Sequence, residues 1–329
     1  MRSKLLRILL VLIAVIAFPF SSPAPLVYRP GEGWTYEPVG GEGKWTRTRA
    51  KDQLDVAQTA FDQKDYGLAL KASRRVVRVW PLSDYAPQAQ YLAGRCLEEK
   101  GDDEKAFNEY QKILEKNPKV PNYDEILKRQ YAIANKYLGG KWFKLWGYIP
   151  FFPSMEKTAD MYGKIVKNGP YSEVAPQAQL NIGTAHEKKK DYPLAVKAYE
   201  TAADRYADRE VVASEALFRA GLAYNKQAQT AEYDQTTAGQ AIATFSDFMS
   251  TYPNDPRVAE SQKIIGSLRT EQARGNYEIA RYYERHKRWG GALVYYNEVL
   301  VHDPNSPYAN EARQKIDALK NRIIAKPSK

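Results

Sequence analysis

The stretch Ala175-Pro176-Gln177-Ala178-Gln179, with Gly183 four residues beyond it, occurs a second time as Ala86-Pro87-Gln88-Ala89-Gln90, with Gly94 beyond. The copies lie 89 residues apart, and each follows a serine–acidic step, Ser172-Glu173-Val174 or Ser83-Asp84-Tyr85. Proline costs nothing in the first turn of a helix, because its missing N–H falls among donors that the turn leaves unbonded anyway. A glycine two turns later suits a place where another element approaches closely. The duplication therefore reads as the opening of the same helix in two copies of a repeat.

Counting outward extends it. Ala69, Ala106, Thr158, Ala241 and Ala292 each stand 12 residues ahead of a proline: Pro81, Pro118, Pro170, Pro253 and Pro304. Ala195 leads by the same step to Ala207, where Asp204-Arg205-Tyr206 still has the character of a helix end. Four residues after these small residues comes an aromatic in five of six cases (Tyr110, Tyr162, Tyr199, Phe245, Tyr296), Ser73 being the exception. Twelve residues before them stand Ala57, Gly94, Gly183 and Ala280. Ahead of Thr158 and Ala241 the matching small residues are Ala134 and Gly221, at distances of 24 and 20, so those two units carry insertions of about 12 and 8 residues. Small residues on two antiparallel helices let the backbones approach, and an aromatic one turn onward shares the face and fills the space beside them. Proline ends the second helix. Lys100-Gly101-Asp102-Asp103 and Lys189-Lys190-Asp191-Tyr192 supply turns within pairs. Such a pair cannot bury its apolar stripe alone, so neighbours must stack.

This pattern resembles the tetratricopeptide repeat. It predicts an all-α fold over residues 48–325, with about six helix pairs, a polar capping helix from Tyr308 to Ile323, and one continuous helix over Arg257–Arg285 joining the last two units. The resemblance implies a right-handed superhelical solenoid. Strand signals are almost absent.

The first residues have the form of an export signal. Arg2, Lys4 and Arg7 precede an apolar run from Ile8 to Phe18, which is short for a membrane span. Residues 1–24 are read as a signal peptide or, uncleaved, as an N-terminal anchor; Pro25 after Ala24 would hinder the peptidase. The formal charge of +10 falls to +7 without those three cations, a weak excess that suits acidic partners or an anionic membrane face. Residues 25–47, rich in proline, glycine and aromatics, are expected to be an irregular tether whose Tyr28, Trp34, Tyr36 and Trp45 either pack on the first repeat or dock a partner. The single cysteine, Cys96, is expected in the core.

The segment Phe245-Ser246-Asp247-Phe248-Met249-Ser250-Thr251-Tyr252-Pro253, followed by Tyr277 to Tyr283 and Trp289, resembles the BamD (YfiO) family of periplasmic tetratricopeptide lipoproteins in the outer-membrane β-barrel assembly machine. The resemblance implies a non-catalytic scaffold that docks on the barrel-forming subunit and helps receive unfolded outer-membrane proteins, located in the periplasm at the inner face of the outer membrane. One departure stands out. The family is tethered through a lipidated cysteine after the signal, and here no cysteine precedes Cys96, so anchoring by that route is not expected. The alternative within the same fold is a periplasmic scaffold coordinating cell-envelope or peptidoglycan proteins.

Candidate contact residues fall in two places. The third-unit insertion, residues 139–154, carries Trp142, Phe143, Trp146, Tyr148, Phe151 and Phe152, with Lys141 and Lys144 among them. It either covers core on the solenoid, binds a partner or extended substrate, or meets the outer-membrane surface. Tyr91, Arg95 and Tyr137, with Gln130 and Gln179, are candidates for the concave face, which the first helices of the pairs would line. Lys71, Arg74, Arg75 and Arg78 form a basic stripe, either solvated or attractive to acidic partners. His186, His286 and His302 are scattered without metal spacing, and no GxSxG or Walker loop is present, so no enzyme, cofactor, small-molecule substrate or nucleic-acid role is expected.

Overall fold

The computed structural model describes residues 26–36, 42–145, 149–230 and 235–324. The signal or anchor segment of residues 1–24 lies outside them. The chain divides into two compact units, residues 1–123 and 124–329.

The first unit holds a hairpin and two helix pairs. Strands β1 (Leu26–Arg29) and β2 (Gly33–Tyr36) pair antiparallel. Helices α1 (Ala50–Asp62) and α2 (Tyr66–Val79) form the first pair, α3 (Ala86–Glu99) and α4 (Asp103–Lys116) the second. The second unit contains α5 (Tyr123–Leu138), a hairpin of β3 (Phe143–Leu145) and β4 (Ile149–Phe152), and α6 (Met155–Asn168). There follow α7 (Ala175–Lys188), α8 (Tyr192–Arg205), α9 (Glu210–Thr230), α10 (Gln235–Thr251), α11 (Val258–Arg285), α12 (Trp289–His302) and α13 (Ala309–Ile324). Among the described residues these are the six expected pairs and the closing helix; the fold is all-α and of the tetratricopeptide type, relieved by two short hairpins.

The seam inside each pair is built as the spacing predicts. A Cβ on Gly94 would lie 2.4 Å from the ring of Tyr110, one on Gly183 2.4 Å from Tyr199, and one on Gly221 2.8 Å from Phe245. Carbon atoms cannot approach so closely, so the glycines are required by the rings against them. Tyr110, Tyr162, Tyr199, Phe245 and Tyr296 are fully buried. Where the first pair lacks the aromatic, Ser73 is buried with its hydroxyl donated to the Ala69 carbonyl, and Ala57, Ala60, Ala69, Ala72, Leu92 and Cys96 close the core. Burial also pushes the Cys96 thiol up to about 11.

Chain reversals repeat as well. After α1, α3, α7 and α11, one residue takes a left-handed conformation: Lys64 (φ 62°), Gly101 (φ 72°), Lys190 (φ 63°) and Lys287 (φ 58°). The next amide then bonds back five residues, as in Asp102 N–H to the Leu97 carbonyl and Asp191 N–H to the His186 carbonyl, each at 2.9 Å. Second helices stop one residue before their prolines, at Trp80, Asn117, Gly169 and Asp303, whose backbones leave the helical region as a following proline demands. The serine of each serine–acidic step donates to the carbonyl three residues back, Ser83 to Trp80 at 2.9 Å and Ser172 to Gly169 at 2.7 Å.

The two insertions resolve differently. That of the third unit becomes β3–β4, whereas that of the fifth lengthens helices, α9 running to 21 residues where α7 has 14. Arg257–Arg285 is continuous as expected: its N-terminal half (Ile265, Leu268) packs with Phe218, Phe245, Phe248 and Ala241, and its C-terminal half (Ala273, Tyr277, Ala280) with Ala292 and Tyr296.

The stretch expected to be an irregular tether carries regular structure. Gly31 (φ 78°) and Gly33 (φ 73°) serve the turn of β1–β2, and Trp45 packs beside α1 on the cluster around Ala57. Gly31 and Gly33 there provide left-handed turn positions, where sequence suggested looseness.

Candidate protein-interaction surface

The β3–β4 hairpin begins where α5 ends. Gly140 (φ 99°) reverses the chain, its N–H bonded to the Tyr137 carbonyl at 2.9 Å and that of Lys141 to the Lys136 carbonyl at 3.0 Å. Lys188 donates to the Leu138 carbonyl at 2.7 Å, occupying an acceptor that the helix end leaves open. Phe143 pairs with Phe152, Lys144 with Pro150 and Leu145 with Ile149, with an irregularity between Phe143 and Lys144. Ser154 then caps α6 by accepting from the Lys157 N–H at 3.2 Å.

Among the described side chains, Phe143 fastens the hairpin. Phe143 is 3% exposed and stacks on Tyr137 with ring centroids 4.2 Å apart and planes 22° from parallel; the Lys157 ammonium lies 5.1 Å from its centre. Trp142 (53%), Ile149 (53%) and Phe152 (42%) stay exposed. The insertion thus has an anchor that covers core and a set of large apolar groups left facing out. The side chains of Trp146, Tyr148 and Phe151 lie outside the described residues.

The candidates for a concave face fare less well. Tyr137 is buried under Phe143, and Gln130 is fully buried, so neither presents a contact surface. Gln179 is also buried, donating to the Ala198 carbonyl at 3.2 Å beneath a groove lined by Val166, Lys167, Tyr171 and Arg205. Tyr91 and Arg95 are half-buried: the Tyr91 ring lies 5.8 Å from that of Tyr110, and the Arg95 guanidinium 5.3 Å from the ring of Phe61. First helices contact neighbours on two sides, which leaves little free face. Of the basic stripe, Lys71, Arg74 and Arg78 are exposed, and Arg75 lies over Trp80 at 5.7 Å. The three histidines are on α7, at the end of α11 and at the end of α12.

Two polar clamps were not anticipated. Glu187 on α7 accepts from the Tyr199 hydroxyl on α8 at 2.8 Å and is paired with Lys226 on α9. Glu284 on α11 accepts from Tyr296 on α12 at 2.7 Å and from Lys315 on α13 at 2.9 Å. Burial acts to raise both carboxyls, but the donated hydrogen bonds and lysine charges hold them below the ordinary range. Burial pushes Tyr199 up to about 12. Each glutamate stands four residues after the small residue of its helix (Gly183, Ala280), a signal that the repeat register contained. A third polar cluster centres on Arg257, which pairs with Asp255 at 2.6 Å and with Glu215 while lying over the rings of Phe218 (5.0 Å) and Phe248 (5.5 Å).

Residues 154–312 match the YfiO family, described as an outer membrane lipoprotein, and residues 54–121 match a tetratricopeptide repeat family. The outer membrane protein assembly factor BamD of Caulobacter vibrioides is 22% identical over 156 residues, 47% of this chain and 51% of that protein. The chain thus spans about half the length of this curated relative. A C-terminal part of a tetratricopeptide protein from Cytophaga hutchinsonii is 15% identical with a TM-score of 0.35, covering 80% of this chain and 87% of its own. A tetratricopeptide protein from Parabacteroides merdae is 13% identical with a TM-score of 0.34, covering 83% and 99%. Both hairpins, residues 26–36 and 143–152, fall in stretches that neither family match covers. The chain is a tetratricopeptide-repeat protein, similar over residues 154–312 to the YfiO outer membrane lipoproteins.

Proposed function

We propose that the chain is a non-catalytic scaffold in outer-membrane β-barrel protein assembly, acting in the periplasm and holding the barrel-forming subunit, unfolded outer-membrane proteins, or both. The observation that carries this reading is the YfiO match, which runs from the start of α6 into α13. The β3–β4 hairpin supports it with a contact surface: Trp142, Ile149 and Phe152 form an exposed apolar set on a hairpin held by Phe143. Large aromatic side chains on a pre-ordered element suit a protein contact, because little conformational freedom is lost on binding.

Affinity capture from detergent-solubilised envelopes tests the proposal. The barrel-forming assembly subunit is expected with the wild-type chain and is expected to be lost with the triple variant Trp142→Ser, Ile149→Ser, Phe152→Ser. The melting temperature should stay within about 2 °C, since exposed positions contribute little to stability. Recovery of cell-wall enzymes without the barrel-forming subunit would overturn the proposal in favour of envelope coordination. Retained capture by the triple variant would move the contact off the hairpin.

A further inference from the structure

The β1–β2 hairpin presents an ordered apolar face. Leu26 and Tyr28 alternate with Val27 and Arg29, so they share one side of β1, and Trp34 is the direct cross-strand partner of Tyr28. The Tyr28 and Trp34 rings touch at 5.4 Å, yet Leu26 is 51%, Tyr28 59% and Trp34 67% exposed. The hairpin is nonetheless fixed. Asp84 donates its N–H to the Gly31 carbonyl at 2.8 Å, and a Cβ on Gly31 would lie 3.5 Å from the Tyr85 ring. The turn residue Glu32 is buried, with Arg29 at 3.9 Å and Arg49 at 3.7 Å from its carboxylate. Fastening therefore runs through the turn and the charged residues, and the Leu–Tyr–Trp face is held outward.

What covers that face follows from what precedes it. The apolar run ends at Phe18, and the seven residues 19–25 separate it from Leu26. Seven residues reach at most about 25 Å when extended. Wherever the apolar run is inserted, the hairpin stays within about 25 Å of its end and so within reach of the lipid headgroups, the zone in which tryptophan and tyrosine are favoured and leucine can reach the acyl boundary. The face carries no charge of its own, which fits a bilayer interface better than a charged partner. We propose that Leu26, Tyr28 and Trp34 form a membrane-contact surface that seats the first unit on a lipid bilayer, independently of which protein the repeats hold.

The test uses the full chain with Tyr28→Cys carrying an environment-sensitive fluorophore. Cys96 is buried with its thiol pushed up to about 11, so it stays unlabelled. Tyr171→Cys, at a site 97% exposed in the second unit, is the control. Phosphatidylethanolamine–phosphatidylglycerol vesicles containing brominated lipid are expected to quench the probe at position 28 at least fivefold more than at position 171. Adding Leu26→Ser and Trp34→Ser should abolish the difference without changing the melting temperature. Equal quenching at both sites would overturn the proposal. So would quenching that survives the added serines, because the preceding segment alone would then hold the hairpin near lipid. A position 28 shielded from water but not quenched by lipid would assign the face to a protein instead.

Discussion

The two hairpins solve the same problem by opposite means. Each is too small to be stable alone and must be fastened to helices. The first is held by its turn, through the Gly31 carbonyl and the ionic contacts of Glu32, and among its described strand side chains none is a buried aromatic. The second is held by a strand residue, Phe143, buried on Tyr137. In both, the side chains that fasten differ from those that face outward. Folding and binding can therefore be separated by mutation in either hairpin, ionically in one and by apolar packing in the other.

The largest expected effect is at the aromatic anchor. Phe143→Ala should cost the β3–β4 attachment about 3 kcal/mol, raising tryptic cleavage at Lys141 and Lys144 roughly a hundredfold while leaving β1–β2 untouched. Glu32→Lys places a cation between Arg29 and Arg49 and should release the first hairpin by about 2 kcal/mol, read as faster amide exchange in β1 and β2. Equal loosening of both hairpins by either variant would refute the contrast. Acid sharpens it further at the Arg257 cluster, an ionic fastening in the second unit. Hydrogen bonding from Arg257 holds Asp255 at about 2, below its ordinary 3.8. Because the folded value is depressed, the stability it confers is present above about pH 4 and is lost as pH falls toward 2. An acid titration should cost about 1–2 kcal/mol there, followed by hydrogen exchange in α10 and α11, with no matching change at Phe143. The smallest effects belong to the outward side chains: serine at Trp142, Ile149 or Phe152 should each shift stability by less than about 0.5 kcal/mol.

Much of the architecture was legible because tetratricopeptide packing writes itself into spacing. Gly94, Gly183 and Gly221 face the aromatics that the count assigned to them, since a missing Cβ leaves a signature that few other contacts leave. The hairpins were not legible. Tyr28 opposite Trp34 depends on register, and runs of four residues rich in glycine or proline carry no period from which register can be read. The site was half legible for a related reason. Sequence identified the aromatic insertion but could not separate Phe143, which is buried, from Trp142 beside it, which is exposed. Tyr137, Gln130 and Gln179 were misplaced because helices that contact neighbours on two sides have no simple polar face, so a polar type does not report direction.

Helix α11 has a further consequence. Its 28 residues form a rod about 42 Å long that belongs to two repeats at once. In most repeat arrays each unit can fray without its neighbour, because a flexible turn separates them. Here the fifth and sixth units have no such hinge: losing the Phe218–Phe245 core exposes one half of a helix whose other half holds Tyr277 and Tyr296. The C-terminal third should therefore open as one cooperative block, its amides exchanging with a single free energy.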